Sequence, residues 1–318
     1  MQYRRIKLAI TEACNLNCAH CYIDKKGPKH MDIERARKLL REAQELGVRV
    51  VDLTGGEPSM HPDFSIIVGH ALSLGFERLN ISTNGYALDI QTLRKLDSSR
   101  IHCFISMDGI SEEVVRRIRG EDVAKLMKLF EELKHLKLEF SLRFCLNALN
   151  WMETAEMLAF VRDIGVNADF EPTQIVGNAG KDLALSCEQI AHIRRAIVDF
   201  PKSSIIIEDS FIAPIPCDGG QSDLLSINTD GIATVCLMFG PNTRVISENV
   251  PLKKMWDTLF LYKERMRNFQ PILEKCDGCW YYALCCSGCR ATAYAQQCFN
   301  PWEKGEYSWQ PIELSLMT

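Results

Sequence analysis

The chain has 318 residues, 47% hydrophobic and 25% charged, enough for one large domain plus a smaller one, or for a single barrel. Its formal charge of −4 comes with no long Lys/Arg run, which excludes an electrostatic nucleic-acid footprint, and no apolar stretch reaches the roughly 20 residues that span a bilayer. The opening residues lack the apolar core and cleavage site of a signal peptide, so the expected location is the cytoplasm, with neither nucleic acid nor membrane as partner.

From residue 5 to about 208, short β-rich runs alternate with amphipathic helical patterns, which predicts βα units around a parallel sheet. Strands are expected at 5–11, 49–54, 77–83, 101–107, 138–147 and 167–173. The plainest helices are 31–46, stopped by Gly47, then 121–136, then 151–164, stopped by Gly165. Joined by right-handed crossovers, these make an α/β fold, a partial (β/α)6 TIM-like barrel over residues 1–208. A connector at 175–185 leads to a helix at 186–200 and an apolar β-rich run at 204–208. After Pro214 and Pro216 come a predicted hairpin (LLSIN-TDG-IATVC), one amphipathic stretch at 252–268 and a cysteine-dense tail, so residues 209–318 are expected to form a second, smaller domain.

Fourteen cysteines are more than packing requires, and in a reducing compartment clustered cysteines are metal ligands or redox groups rather than disulfides. The first three form Cys14-x3-Cys18-x2-Cys21, directly after the first strand. Three thiolates on one loop hold three corners of a cubane and leave the fourth iron open, whereas an electron-transferring cluster normally has four protein ligands. Zinc is the alternative for short cysteine spacings; the lack of a paired fourth ligand and the aromatic His20 before the last cysteine count against it.

CNLNCAHC resembles the CxxxCxΦC signature of the radical S-adenosylmethionine (radical SAM) superfamily, Φ being aromatic. Thr54-Gly55-Gly56-Glu57-Pro58 resembles that family's GGE motif, which makes Gly55, Gly56 and Glu57 expected cofactor-binding residues, their backbone meeting the amino group of the cofactor's methionine moiety. Ser82-Thr83-Asn84-Gly85 and Ser106-Met107-Asp108-Gly109 end the third and fourth strands and resemble family positions at the carboxyl rim, adding Ser82, Asn84, Ser106 and Asp108. Any one of these elements also suits a tight strand-to-helix turn; motifs at four successive strand ends converge on one barrel mouth. The resemblance implies an enzyme using S-adenosylmethionine and a 4Fe-4S cluster on Cys14, Cys18 and Cys21. One electron, from a donor such as flavodoxin or ferredoxin, breaks the cofactor to methionine and a 5′-deoxyadenosyl radical, which abstracts hydrogen from a substrate C–H bond.

The tail reads Cys217-x13-Gly231-x4-Cys236, then Cys276-x2-Cys279-x5-Cys285-x3-Cys289, then Cys298. These spacings resemble the SPASM extension, which carries two auxiliary 4Fe-4S clusters, making three clusters in all. By that resemblance Cys276, Cys279, Cys285 and Cys298 hold an outer cluster, and Cys217, Cys236 and Cys289 an inner one. A zinc-binding tail is the alternative. For the inner cluster's fourth ligand Asp218, Asp223, Cys286, water or substrate remain open. In relatives resembling anaerobic sulfatase-maturating enzymes an Asp directly after the second inner-cluster cysteine serves as base; Leu237 stands there, which disfavours sulfatase maturation.

Alternation along SLRFCLN puts Arg143, Cys145 and Asn147 on one face, which is expected to line the barrel interior. Arg143 there meets the cofactor carboxylate or a substrate anion. Cys145 is a candidate catalytic residue, returning a hydrogen atom to a substrate radical as some family members do in inverting a stereocentre; the competing reading is a small buried hydrophobe. Cys103 has the opposite parity and is expected to pack outward against helices, Cys187 to begin a helix, and Glu171 to contact substrate or a rim cation. The expected function is modification of a ribosomally made peptide, by epimerisation or a thioether or carbon–carbon crosslink. A carbohydrate or aminoglycoside epimerase or dehydrogenase is the second reading, and a non-catalytic iron–sulfur electron carrier the third.

Overall fold

The computed structural model describes residues 3–23, 27–94, 98–200, 207–209, 223–239 and 250–267. Its chain runs β1 (Arg5–Thr11), α1 (Ile33–Glu45), β2 (Val50–Gly55), α2 (Phe64–Ser73), β3 (Arg78–Thr83), α3 (Ile90–Arg94), β4 (Ile101–Ser106), α4 (Glu112–Arg119), α5 (Val123–His135), β5 (Glu139–Leu146), α6 (Thr154–Ile164), β6 (Asn167–Pro172), α7 (Cys187–Asp199), β7 (Ile207–Asp209), β8 (Leu224–Ile227), β9 (Ala233–Thr234) and α8 (Leu252–Arg267). The six expected strands are present, each end within one residue of its expected place.

One sheet takes them all, in the order β7-β6-β5-β4-β3-β2-β1-β8-β9, parallel throughout except for the β8–β9 hairpin. Six strands are therefore the centre of a wider sheet. The hairpin expected beyond residue 208 is present, and its first strand lies beside β1, pairing Arg5 with Leu224 and Leu8 with Ile227. Arg35 of α1 donates from Nη2 to the Gly231 carbonyl at 2.7 Å, and Glu42 accepts the Leu252 N–H at 2.7 Å, capping α8. Helix α1 thus fastens hairpin and helix to the barrel.

The strands alternate, apart from a register shift in β1 between Ala9 and Thr11. Ile6, Leu8, Val51, Leu53, Ile81, Cys103, Ile105, Leu142, Phe144 and Phe170 are fully buried on the helix-facing side, where apolar burial drives the fold. The other side is mainly polar, with Phe104 among its apolar members: Lys7 pairs in register with Asp52, Asp52 with Asn80, Asn80 with His102, and further along Ser106 with Arg143 and Arg143 with Asp169. A closed TIM barrel fills its interior with branched apolar side chains. Here the inner wall is charged and hydrogen-bonded, and it encloses a cavity.

Candidate active site

That cavity, about 270 Å³, opens at the carboxyl ends of the strands and brings together Cys14, Cys18, Cys21, Gly55, Gly56, Ser82, Asn84, Ser106, Arg143, Cys145, Glu171 and Cys236. The loop after β1 carries the cysteine triad and is tied down on several sides. The N–H of Gly56 donates to the Thr11 carbonyl and that of Glu57 to the Ala13 carbonyl, both at 2.7 Å. Ala19 donates to the Ile118 carbonyl of α4 at 2.9 Å, and Asn178, past β6, to the Cys21 carbonyl at 2.8 Å. Asn84 donates through Nδ2 to Asn15 at 2.9 Å. The glycines are required by close approach: a Cβ on Gly55 would sit 2.2 Å from the Thr11 oxygen, and one on Gly56 2.2 Å from the Ala13 oxygen. Gly55 also has φ +140°.

The expected residues divide into two groups. Ser82, Asn84, Ser106, Arg143 and Cys145 line the cavity, whereas Glu57 and Asp108 lie behind its wall. Fully buried Glu57 accepts from Ser59 Oγ at 2.6 Å, Thr83 Oγ1 at 2.9 Å and the Asn84 N–H at 2.7 Å, joining the end of β2 to the end of β3. Burial pushes its carboxyl above the ordinary range, against the pull of those bonds. Asp108 accepts the Cys145 N–H at 2.9 Å and lies 2.6 Å from Arg119 Nη2 and 3.3 Å from His20 Nε2. Asn147, placed by parity beside Cys145, is also behind the wall, donating to the Cys145 carbonyl at 3.2 Å.

Arg143 contacts Asp169 at 3.1 and 2.9 Å and lies over the Phe104 ring at 4.7 Å. Burial opposes its charge, and Glu171 and Asp169 more than restore it. The thiol of Cys145 lies within 4.8 Å of ligand atoms of His20 and Asp108. Burial, then Asp108 and Glu171, push its pKa well above the ordinary thiol value, so it stays S–H at neutral pH. Cys103 is buried on the helix side and Cys187 begins α7 and is exposed.

Sequence reasoning missed several contributors, among them Arg119, Tyr22 and Lys7. Arg119 looks like one more cation in the last turn of a helix, where cations are common. Tyr22 donates its hydroxyl to the Gly55 carbonyl at 3.3 Å, and nothing in its spacing singles it out. Lys7, which lines the same cavity, had a usable signal: a charge at an alternate position in a central parallel strand. Of the expected auxiliary-cluster ligands, Cys236 lines the cavity beside Leu237 and Met238, while Cys217, Cys276, Cys279, Cys285, Cys289 and Cys298, with Cys286, lie outside the described residues. Among the described residues no helix is long and apolar enough to cross a membrane.

The loop after β1 thus sets three cysteines on one cavity at the carboxyl ends of the parallel strands. Residues 8–161 match the family model of the Radical SAM superfamily. That match implies S-adenosylmethionine and a 4Fe-4S cluster, and the donor set fits: three thiols on one cavity, with Leu16 N and Asn84 Nδ2 directed at Cys14 Sγ (3.5 and 3.7 Å), beside the Gly55–Gly56 edge that lines it.

The GTP 3′,8-cyclase of Tolumonas auensis is 32% identical over 138 residues, covering 42% of this chain and 40% of that protein, so the chain spans less than half of that relative's length. The PqqA peptide cyclase of Bradyrhizobium diazoefficiens is 24% identical over 316 residues, covering 91% of this chain and 82% of the cyclase. Among solved structures, Streptococcus suis SuiB bound to its precursor peptide SuiA has a TM-score of 0.73 at 15% identity, covering 92% of this chain and 73% of that one. At that identity the likeness is one of fold.

Proposed function

We propose that the chain is a radical SAM/SPASM enzyme that modifies a ribosomally made peptide. The observation that carries this reading is the convergence of Cys14, Cys18 and Cys21, the Gly55–Gly56 edge and Cys145 on one cavity. When bound, the 4Fe-4S cluster and S-adenosylmethionine supply, on one-electron reduction, a 5′-deoxyadenosyl radical able to take hydrogen from a C–H bond. The Gly55–Gly56 backbone receives the cofactor's amino group; Ser82, Asn84 and Ser106 offer hydrogen bonds to its polar edges, and Arg143 a cation to its carboxylate. Cys145 returns a hydrogen atom to the substrate carbon: the S–H bond breaks, a C–H bond forms, and the thiyl radical left behind takes one electron and one proton. The electron comes from a donor of the flavodoxin or ferredoxin class. Cys217, Cys236 and Cys289 hold an inner auxiliary cluster, and Cys276, Cys279, Cys285 and Cys298 an outer one.

Peptide as substrate is supported by the near full-length match to a protein named for acting on a peptide, and by the fold shared with SuiB, solved with its precursor peptide. A carbohydrate or aminoglycoside is the second reading, favoured by the charged inner wall around Lys7, Asp52 and Glu171. Anaerobic reconstitution with S-adenosylmethionine and a reductant, followed by mass spectrometry, tests both. The reading expects 5′-deoxyadenosine from the wild type and none from Cys14→Ala, with substrate-dependent stimulation by peptides. Stimulation by sugars alone transfers the substrate class to the second reading. Cofactor binding that never yields 5′-deoxyadenosine makes the protein an electron carrier.

A further inference from the structure

We infer that Arg119, braced by Asp108, is a positioning residue that sets the reduction potential of the cluster held by Cys14, Cys18 and Cys21; the inference rests on the proposed reading of that triad as a cluster site.

Arg119 ends α4, is 5% exposed, and directs Nη1 at the Cys18 sulfur at 3.9 Å while Nη2 lies 2.6 Å from Asp108. Asp108 is fully buried and fixed from two sides, accepting the Cys145 N–H at Oδ1 (2.9 Å) and the Asn150 amide at its carbonyl (2.8 Å). The residue before Arg119 receives the Ala19 N–H, which ties the helix end to the cysteine loop. Gly120, at φ +78°, then turns the chain away.

A bland role, a tie between α4 and β4, leaves two features unexplained. A buried ion pair adds little net stability, because desolvating both charges offsets their attraction. The guanidinium also divides its donors between a carboxylate and a thiol that the triad reading makes an iron ligand. Donors on ligand sulfurs and net charge near the iron are what set a cluster's potential. Arg is a permanent charge, so its effect holds across the working pH range. The cation favours the reduced, more negative cluster, and Asp108 holds the cation in place while partly offsetting it. The two residues therefore act with opposite signs.

The test reconstitutes full-length wild type, Arg119→Lys, Arg119→Met and Asp108→Asn, counts iron, and follows reduction by EPR-monitored titration. The cluster in question is recognised as the signal that added S-adenosylmethionine perturbs. Expected are a more negative midpoint for Arg119→Met, recovery toward wild type in Arg119→Lys, and a more positive midpoint for Asp108→Asn. Unchanged midpoints at full iron content overturn the proposal, as does a shift of Arg119→Met and Asp108→Asn in the same direction, which a merely structural pair would give. If Arg119→Met fails to hold iron, the sign for Asp108→Asn and the position of Arg119→Lys decide. A wild type with no cofactor-sensitive signal overturns the cluster reading itself.

Discussion

Cys145 donates its backbone N–H to Asp108 Oδ1 at 2.9 Å, so the strand end that carries the thiol is locked to the carboxylate past the end of β4. Asp108 sits behind the wall and Cys145 forms part of it, so the bond fixes where the sulfur stands. Replacing Cys145 by Ala keeps that bond, since the main chain makes it. The fold should lose on the order of 1 kcal/mol from the missing sulfur. Cleavage of S-adenosylmethionine should continue in Cys145→Ala, while deuterium incorporation from heavy water into the product is lost. Wild-type label and turnover in the variant would remove Cys145 from the reaction.

Gly56→Ala should disrupt the site by sterics alone. The added Cβ meets the Ala13 oxygen at 2.2 Å, and the loop it would push aside carries Cys14. Backbone displacement at this half-buried position costs about 2 kcal/mol. Denaturant titration of the metal-free protein should show that loss, and reconstitution should give less iron per chain. Gly47→Ala is the control: nothing lies within 4 Å of its Cβ, so only the αL penalty of about 1 kcal/mol applies. Equal iron loss in the two variants would refute the steric account.

The strands were legible because burial on one face and a polar cavity on the other impose a period of two, as in Arg5-Ile6-Lys7-Leu8. The triad and the glycines were legible because close backbone approach leaves few residue choices. The place of Leu224–Ile227 was not. Its apolar run announces a hairpin, but only the free edge of β1, which no local pattern records, selects its parallel neighbour. Helix α4 was hidden by its eight residues, too few to display a period, although its Ser111 cap and Gly120 stop are visible afterwards. The buried side chains of Glu57 and Asp108, which brace neighbouring strand ends, were not legible, because a motif names residues and not the direction of their side chains.

Cys103 and Cys187 should differ sharply toward alkylating agents. Burial pushes the Cys103 pKa from the ordinary 9.0 up to about 12, so at pH 9 only about a thousandth of it is thiolate, the nucleophilic form, and it is fully buried besides. Cys187 is exposed at the start of α7. The raised pKa means that the folded state holds the Cys103 proton more tightly than the unfolded chain does. Its contribution to stability is fully present below about pH 9 and is lost as pH rises toward 12. Peptide mapping after brief iodoacetamide treatment of native protein at pH 8 should find Cys187 modified and Cys103 intact until denaturant is added. Modification of Cys103 in the native protein would contradict its place in the core.

Cys236 offers a direct count of clusters. Cys236 lines the same cavity as the triad, and Thr234 Oγ1 donates to its carbonyl at 3.1 Å, a bond at the end of the hairpin that does not use the thiol. Cys236→Ala should therefore fold with β8 still beside β1. If it is one of three protein ligands to an inner cluster, its removal leaves two, too few to retain a cubane, and iron per reconstituted chain should fall by about a third. The signal that S-adenosylmethionine perturbs should remain, because Cys14, Cys18 and Cys21 are untouched. Undiminished iron in Cys236→Ala would take this residue out of the ligand set, and loss of the perturbed signal would show that the two sites cannot be loaded independently.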